Sequence, residues 1–220
     1  FWGSLSDRIG RKPVIMIGLI GFSASFLVFG LASDNLWLMY VSRILGGFFS
    51  GATTASAVAY VADITTEENR TKGMGMVGMS IGMGFMFGPA LGGLFSKVSI
   101  EFPFFVSSGL ALLSFLFVWA VFGESLTPEK RKARTAAKES RWKAFTGPLK
   151  YLYVIAFFVT FTLAGLEATL QYFEMVKFDA TPTDIGVMFL VSGIVGALIQ
   201  GGFVRRIKKG TESGVIVAGL

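Results

Sequence analysis

Four side chains of one apolar stretch offer the clearest chemistry in this sequence. In the span Tyr151–Val176, Thr160, Glu167, Gln171 and Glu174 fall within about 60° of one another on a helix turning 100° per residue. The opposite side carries Phe158 and other apolar residues. A stripe holding two carboxyl groups, an amide and a hydroxyl cannot face lipid, so it must line a bundle interior or a water-filled cavity. Glu167 lies about 17 residues past Lys150, deep enough to be partly desolvated and to trade protons. Glu174 sits nearer the far surface, where ordinary solvation would also explain it. Arg43 is a second charge inside an apolar stretch, about 10 Å from its start at Leu36. A cation there is costly and needs a role or a partner. No acid in the N-terminal half lies at an obvious matching depth. Cysteine and histidine are both absent, which removes the usual parts of metal sites, thiol chemistry and Ser-His or Cys-His catalysis.

A third group is the run Gly3-Ser-Leu-Ser-Asp7-Arg8-Ile-Gly10-Arg11-Lys12-Pro13. It reads as a tight loop between membrane helices. Gly10 permits a positive φ, Gly3 allows another backbone to approach, and Pro13 suits the first turn of the next helix. Asp7 could face the positive end of a helix, while Arg8, Arg11 and Lys12 hold the loop on one side of a bilayer.

The elements that position these residues are membrane helices. Of 220 residues, 53% are hydrophobic, far above a soluble domain of this size. Pro13–Ser33, Ile44–Ala62, Gly73–Ser96, Phe102–Gly123 and Ile185–Val204 each run 19 to 24 residues without a charge. Each run is long enough to cross roughly 30 Å of hydrocarbon as helix. The sequence therefore specifies an all-α membrane protein. Its net charge of +6 does not point to nucleic acid, because alternating the loops puts 17 of the 20 cations on one side. The other side has Lys97 and Lys177, and Arg43 lies within a span. The positive-inside rule makes the rich side cytoplasmic, next to anionic lipid headgroups.

Taken in order, the first span runs outward to Ser33-Asp34-Asn35 and a second, from about Leu36 to Val61, returns to the polar loop around Asp63. Asn69-Arg70-Thr71 matches a glycosylation sequon, but on the cytoplasmic face it is silent. Gly73-Met-Gly75-Met-Val-Gly78 matches the dinucleotide fingerprint without the preceding strand that fingerprint needs. In the same span Gly84, Gly88 and Gly92 recur every four residues, with Pro89 and Gly93 alongside. That spacing predicts a bare helix face for close packing and a bend at Pro89. Residues 124–147 carry seven cations against three acids and read as a solvated cytoplasmic linker. The organisation is thus an N-terminal bundle over 1–123, a linker over 124–147 and the start of a C-terminal bundle over 148–220. The segment Gly202 to Gly210 echoes the first basic loop, and a weak repeat after six spans is what a two-bundle transporter shows. Phe1-Trp2 and Thr211–Leu220 look like cut helices, so the chain reads as a fragment.

These residues resemble the major facilitator superfamily, and its drug:proton antiporter branch in particular. Gly3-x-Leu5-x-Asp7-Arg8-x-Gly10-Arg11-Lys12 is similar to that superfamily's loop signature between helices 2 and 3. Arg43-x-x-x-Gly47 resembles its helix 4 arginine motif, and Gly84-x-x-x-Gly88-Pro89-x-x-Gly92-Gly93 its helix 5 antiporter motif. Leu166-Glu167-Ala-Thr and Gly196-Ala-Leu-Ile-Gln200 look like bacterial multidrug exporters, and the opening loop like that of tetracycline exporters. The second loop lacks an acid matching Asp7.

The resemblance implies a piece running from the end of helix 2 to the start of helix 9 of a twelve-helix fold, in a bacterial cell membrane. It implies that Asp7 leans on a helix of the other bundle and that Arg11 pairs with Asp63, both contacts breaking as the bundles rock. It further implies that Arg43 handles protons, that Gly88-Pro89 shapes the contact with the opposite bundle, and that Glu167 binds cationic drug or proton in competition. The reading is a proton-coupled exporter of lipophilic, cationic compounds, with lipid, a small-molecule substrate and protons as partners. It needs no cofactor, no ATP and no enzymatic step. A sugar or metabolite importer on the same fold, and a non-transporting sensor or assembly protein, stand as alternatives. No G-x-x-x-x-G-K-[ST] is present for an ATP-driven pump.

Overall fold

A computed structural model of the chain describes residues 1–32, 35–127, 129, 131 and 150–202. The second basic loop past Gly202, the start of a further helix at Thr211 and most of the 124–147 linker lie outside the described residues. In chain order the helices are α1 (Trp2–Ile9), α2 (Arg11–Leu31), α3 (Leu36–Ile64), α4 (Glu67–Phe95), α5 (Phe102–Val121), α6 (Lys150–Phe178) and α7 (Pro182–Gly202). Five of them, α2 to α6, are long and apolar enough to cross a membrane.

The opening run is not a loop. Trp2 to Ile9 forms a helical segment that rests on α2 and α3. Trp2, Leu5 and Ile9 recur at helical spacing, and a cluster of charges within a helix of this kind costs nothing at a water-facing end. Trp2 donates its indole N–H to the Phe48 carbonyl at 2.7 Å and packs on the Phe48 ring. The chain turns only at Gly10, whose φ of 111° and ψ of 162° belong to a region reserved for glycine. Pro13 follows in the first turn of α2, where it forfeits no hydrogen bond.

Helix starts follow their caps rather than the edges of the apolar runs. The Asn35 side chain accepts the Leu38 amide at 3.1 Å and opens α3. α4 begins at Glu67, six residues before the uncharged run that predicts it. Glu67 and Glu68 sit at its positive end, so the charges support the helix instead of stopping it. It continues unbroken through Gly73–Gly78, leaving no place for a nucleotide-binding turn, and through Pro89. Between α6 and α7, Asp179 turns the chain at φ 50°. Thr181 and Asp184 then form a reciprocal capping box around Pro182: the Thr181 amide donates to the Asp184 carboxylate at 2.9 Å and the Asp184 amide to the Thr181 hydroxyl at 3.3 Å.

Small residues set the helix packing. α2 lies between α3 and α5, antiparallel to both. A Cβ at Gly18 would lie 2.8 Å from the Thr53 amide nitrogen, and one at Gly30 would lie 2.9 Å from the Phe105 ring. Midway along α2 and α5, Ser23 and Ser108 exchange hydrogen bonds: each hydroxyl donates to the other's carbonyl at 2.9 Å. This satisfies polar groups where lipid and water could not. α4 pairs with α7, and among the described residues α6 is not packed along any other helix. Outward faces carry exposed apolar side chains such as Leu113 and Phe117, as lipid contact requires.

Candidate functional site

Four places hold the residues with chemistry, and the structure treats them differently. The most complete is the end of the bundle where α1, α2 and α3 meet. Arg11 is only 3% exposed, and its guanidinium is shared among three acceptors. It donates from Nε to Asp63 at 3.0 Å, from one terminal nitrogen to Asp7 at 2.7 Å, and from the other to the Ser6 hydroxyl. The Asp63 side chain is 6% exposed and that of Asp7 37% exposed, so one cation is buried against one enclosed and one half-wet acid. A buried cation of this kind tolerates the loss of a partner poorly.

Arg11 therefore pairs with Asp63 as the resemblance implies, but both partners belong to the N-terminal helices. Asp7 stands in the last turn of α1 and is turned back onto Arg11. The acid at the head of α2 is not Asp7 but Glu124, whose carboxylate accepts the Arg11 amide at 2.9 Å and the Lys12 amide at 3.3 Å. Gly10 answers two demands at once, since a Cβ there would also lie 2.8 Å from the Glu124 carboxyl carbon. Arg8 is exposed, and among the described residues a Cβ at Gly3 would meet nothing within 4 Å.

Arg43 has no carboxylate partner among the described residues, and its environment is aromatic instead. Its guanidinium lies 4.5 Å from the centroid of Phe29 and 6.0 Å from that of Phe26, on the facing side of α2. With Phe22, Ser25, Ser42 and Ser50 these residues line a cavity of about 270 Å³. Ring faces stabilise a cation without neutralising it.

Among the described residues the glycine–proline segment packs closely on α7 through residues other than Gly84, Gly88 and Gly92. A Cβ on Gly84, Gly88 or Gly92 would meet nothing within 4 Å. The crossing with α7 runs through Met86, Pro89, Ala90 and Gly93, centred roughly 150° away on the cylinder and so close to the opposite side. A Cβ on Gly93 would come 3.0 Å from the Thr183 Cα, and one on Gly186 2.7 Å from the Pro89 carbonyl oxygen. At Gly193 it would come 2.6 Å from the Met86 Cβ. Thr183 fastens the crossing by donating its hydroxyl to the Gly93 carbonyl at 3.0 Å. The bare side is thus supplied as much by α7 as by α4, where Gly186 and Gly193 stand seven residues apart on one face. That spacing is present in the sequence.

On α6, the unbroken helix keeps Thr160, Glu167, Gln171 and Glu174 on one face. Glu167 and Glu174 are half-buried, and Thr160 and Gln171 are exposed. No described helix covers this face, so these four are not brought to Arg43 or to the Arg11 cluster. Among the described residues no group of acids could hold a metal ion. Of the residues that matter, sequence reasoning misses Glu124, Ser6 and Thr183, and it misses the contact of Lys12 with the end of α5. For Glu124 the signal is its place as the first charge after a membrane run.

The sequence model of the Major Facilitator Superfamily matches residues 1–220. The chain is 38% identical over 206 residues to multidrug resistance protein 2 of Bacillus subtilis, covering 91% of this chain and 51% of that protein. It is 29% identical over 209 residues to the quinolone resistance protein NorA of Staphylococcus aureus, with the same shares covered. Its fold matches the crystal structure of the human organic anion transporter MFSD10 with a TM-score of 0.70 and 27% identity, over 96% of this chain and 54% of that one. The chain spans about half the length of the curated relatives it matches. It is a multi-pass membrane protein, and it belongs to the Major Facilitator Superfamily.

Proposed function

We propose that this chain is part of a proton-coupled exporter of lipophilic, cationic compounds that works by alternating access. The observation that carries the reading is the α4–α7 crossing, where Gly93 and Gly186 bring two helices from opposite halves of the chain into backbone contact. Such a crossing excludes water and ions along one side of a pathway while leaving the other side free to open. The names of the relatives, resistance to multiple drugs and to quinolones, agree with export. Glu167, inside a membrane-length helix on a polar face, is the acid for which drug and proton compete. One carboxylate couples opposite flows provided the two bundle arrangements differ in affinity for each ligand. Arg43 tunes that exchange from its aromatic cavity, and the Arg11–Asp63–Asp7 cluster holds the cytoplasmic side in order. The proton gradient supplies the energy, with neither cofactor, ATP nor an enzymatic step.

In vesicles containing the full-length protein, Glu167→Gln abolishes proton-driven efflux of ethidium while the protein remains inserted; unchanged coupled efflux refutes the assignment. A second reading is transport of organic anions, favoured by an Arg43 that faces a cavity without a carboxylate among the described residues. The likeness of the fold to a human organic anion transporter points the same way. Comparing ethidium with an anionic dye such as fluorescein separates the two.

A further inference from the structure

The first residues after α5 should be free if the stretch they open were simply a solvated linker. Instead they are built into the head of α2. The Glu124 carboxylate accepts the amides of Arg11 and Lys12, the first two of α2, and also the Leu126 amide at 3.1 Å. Arg131 approaches it at 3.5 Å. In return the Lys12 ammonium donates to the Trp119 carbonyl at 2.9 Å and the Phe122 carbonyl at 2.7 Å, the final carbonyls of α5. Lys12 and Glu124 do not bond each other through their side chains. Each caps the helix that the other belongs to: the acid lies at a positive helix end and the base at a negative one. Tyr60 of α3 adds a bond from its hydroxyl to the Gly123 carbonyl at 3.1 Å, and Leu126 is buried at 1% exposure beneath the turn.

We propose that Glu124 is the positioning residue of the cytoplasmic cluster: by holding the first amides of α2, it fixes the point from which Arg11 reaches Asp63, Asp7 and Ser6. The inference rests on the reading of that cluster as part of a transport gate. The backbone of Arg11 is bound on one side by Glu124 while its side chain is bound on the other by two acids and a hydroxyl. Shifting the amide shifts the guanidinium. Gly10 belongs to the same device, because its positive φ and missing side chain leave the space the Glu124 carboxylate occupies.

The test uses the full-length protein. In lipid nanodiscs, Glu124→Ala speeds hydrogen exchange at the amides of Arg11, Lys12 and Leu126 by at least about tenfold, the size of one lost charge-assisted hydrogen bond. Exchange in the middle of α2 and α5, near Ser23 and Ser108, stays as in the parent, and Glu124→Gln falls between. In proteoliposomes, the ethidium turnover per folded transporter falls in Glu124→Ala while the KM is kept, and Glu124→Gln restores part of it. Combining Lys12→Glu with Glu124→Lys gives no rescue, since each charge then meets a helix end of its own sign. Unchanged exchange at those three amides overturns the proposal. So does a turnover per folded molecule equal to the parent's, or recovery in the double exchange, which would mean a simple ion pair. If the parent moves no ethidium, the proposed transport function falls, and the exchange rates still decide whether Glu124 holds the head of α2.

Discussion

Arg11 and Asp63 stand 52 residues apart and meet at 3.0 Å, one at the start of α2 and the other in the last turn of α3. Because α2 and α3 are antiparallel and packed along their length, this pair joins the start of one helix to the finish of the other at a single end of the bundle. Both residues belong to the N-terminal helices α2 and α3.

Reversing the charge at Asp63 leaves Arg11 buried against a like charge. Asp63→Lys should lower stability by about 3–5 kcal/mol, as loss of a buried partner does, and reduce inserted protein in membranes. Adding Arg11→Glu should recover part of the loss, and only part, because Asp7 then stands beside a like charge. Quantifying inserted protein and its thermal aggregation midpoint checks this; a double variant no better than Asp63→Lys contradicts it.

Gly10→Ala meets both a forbidden φ and the Glu124 carboxylate. The backbone term alone is about 1–3 kcal/mol, and the thermal midpoint of the purified protein should fall accordingly. Gly3→Ala, where a Cβ has open space, should leave the midpoint within the scatter of replicate measurements.

The glycines of α4 should separate by face. Gly93→Val and Gly186→Val drive a side chain into backbone of the opposing helix and should weaken the crossing. In full-length protein carrying one spin label on α4 and one on α7, the distance between the labels should lengthen. Gly88→Ala should leave that distance unchanged, since its Cβ would meet nothing within 4 Å. A longer distance in Gly88→Ala would mean that the crossing also uses the Gly84–Gly88–Gly92 face.

Ser108→Ala removes one hydroxyl of the reciprocal pair with Ser23. The loss should be modest, about 0.5–1.5 kcal/mol as for an ordinary interhelical hydrogen bond in a membrane. It should appear as a small drop in thermal midpoint, with insertion unaffected. A Ser23→Ala, Ser108→Ala double variant should cost less than the sum of the two single changes, because both hydroxyls serve one contact.

Much of this protein is legible without its fold. Charge-free runs of membrane length fix the helices, since hydrocarbon admits no unbonded backbone and few charges. Gly10 announces its own turn. Helix limits are less legible: α4 starts six residues early because acids at a helix's positive end are an asset, which hydropathy alone scores as an interruption. The short helix α1 reads as a loop in sequence because charges and a glycine crowd it, although Trp2, Leu5 and Ile9 keep helical spacing.

Contacts over long separations belong to the tertiary structure. Periodicity says that Gly84, Gly88 and Gly92 share a face, but only the position of α7 decides that it crosses the nearly opposite face, with Gly93 and Pro89. Nothing local says that Arg43 rests on Phe29, or that Glu124 closes the head of α2. Each depends on which helix ends are brought together, and a sequence states a residue's charge without stating which helix end it will meet. The sequence determined the helices and the family, because hydrophobic length acts locally and short motifs survive in the chain. The tertiary structure decided the partners, because a buried charge or a bare helix face takes its meaning from whatever packs against it.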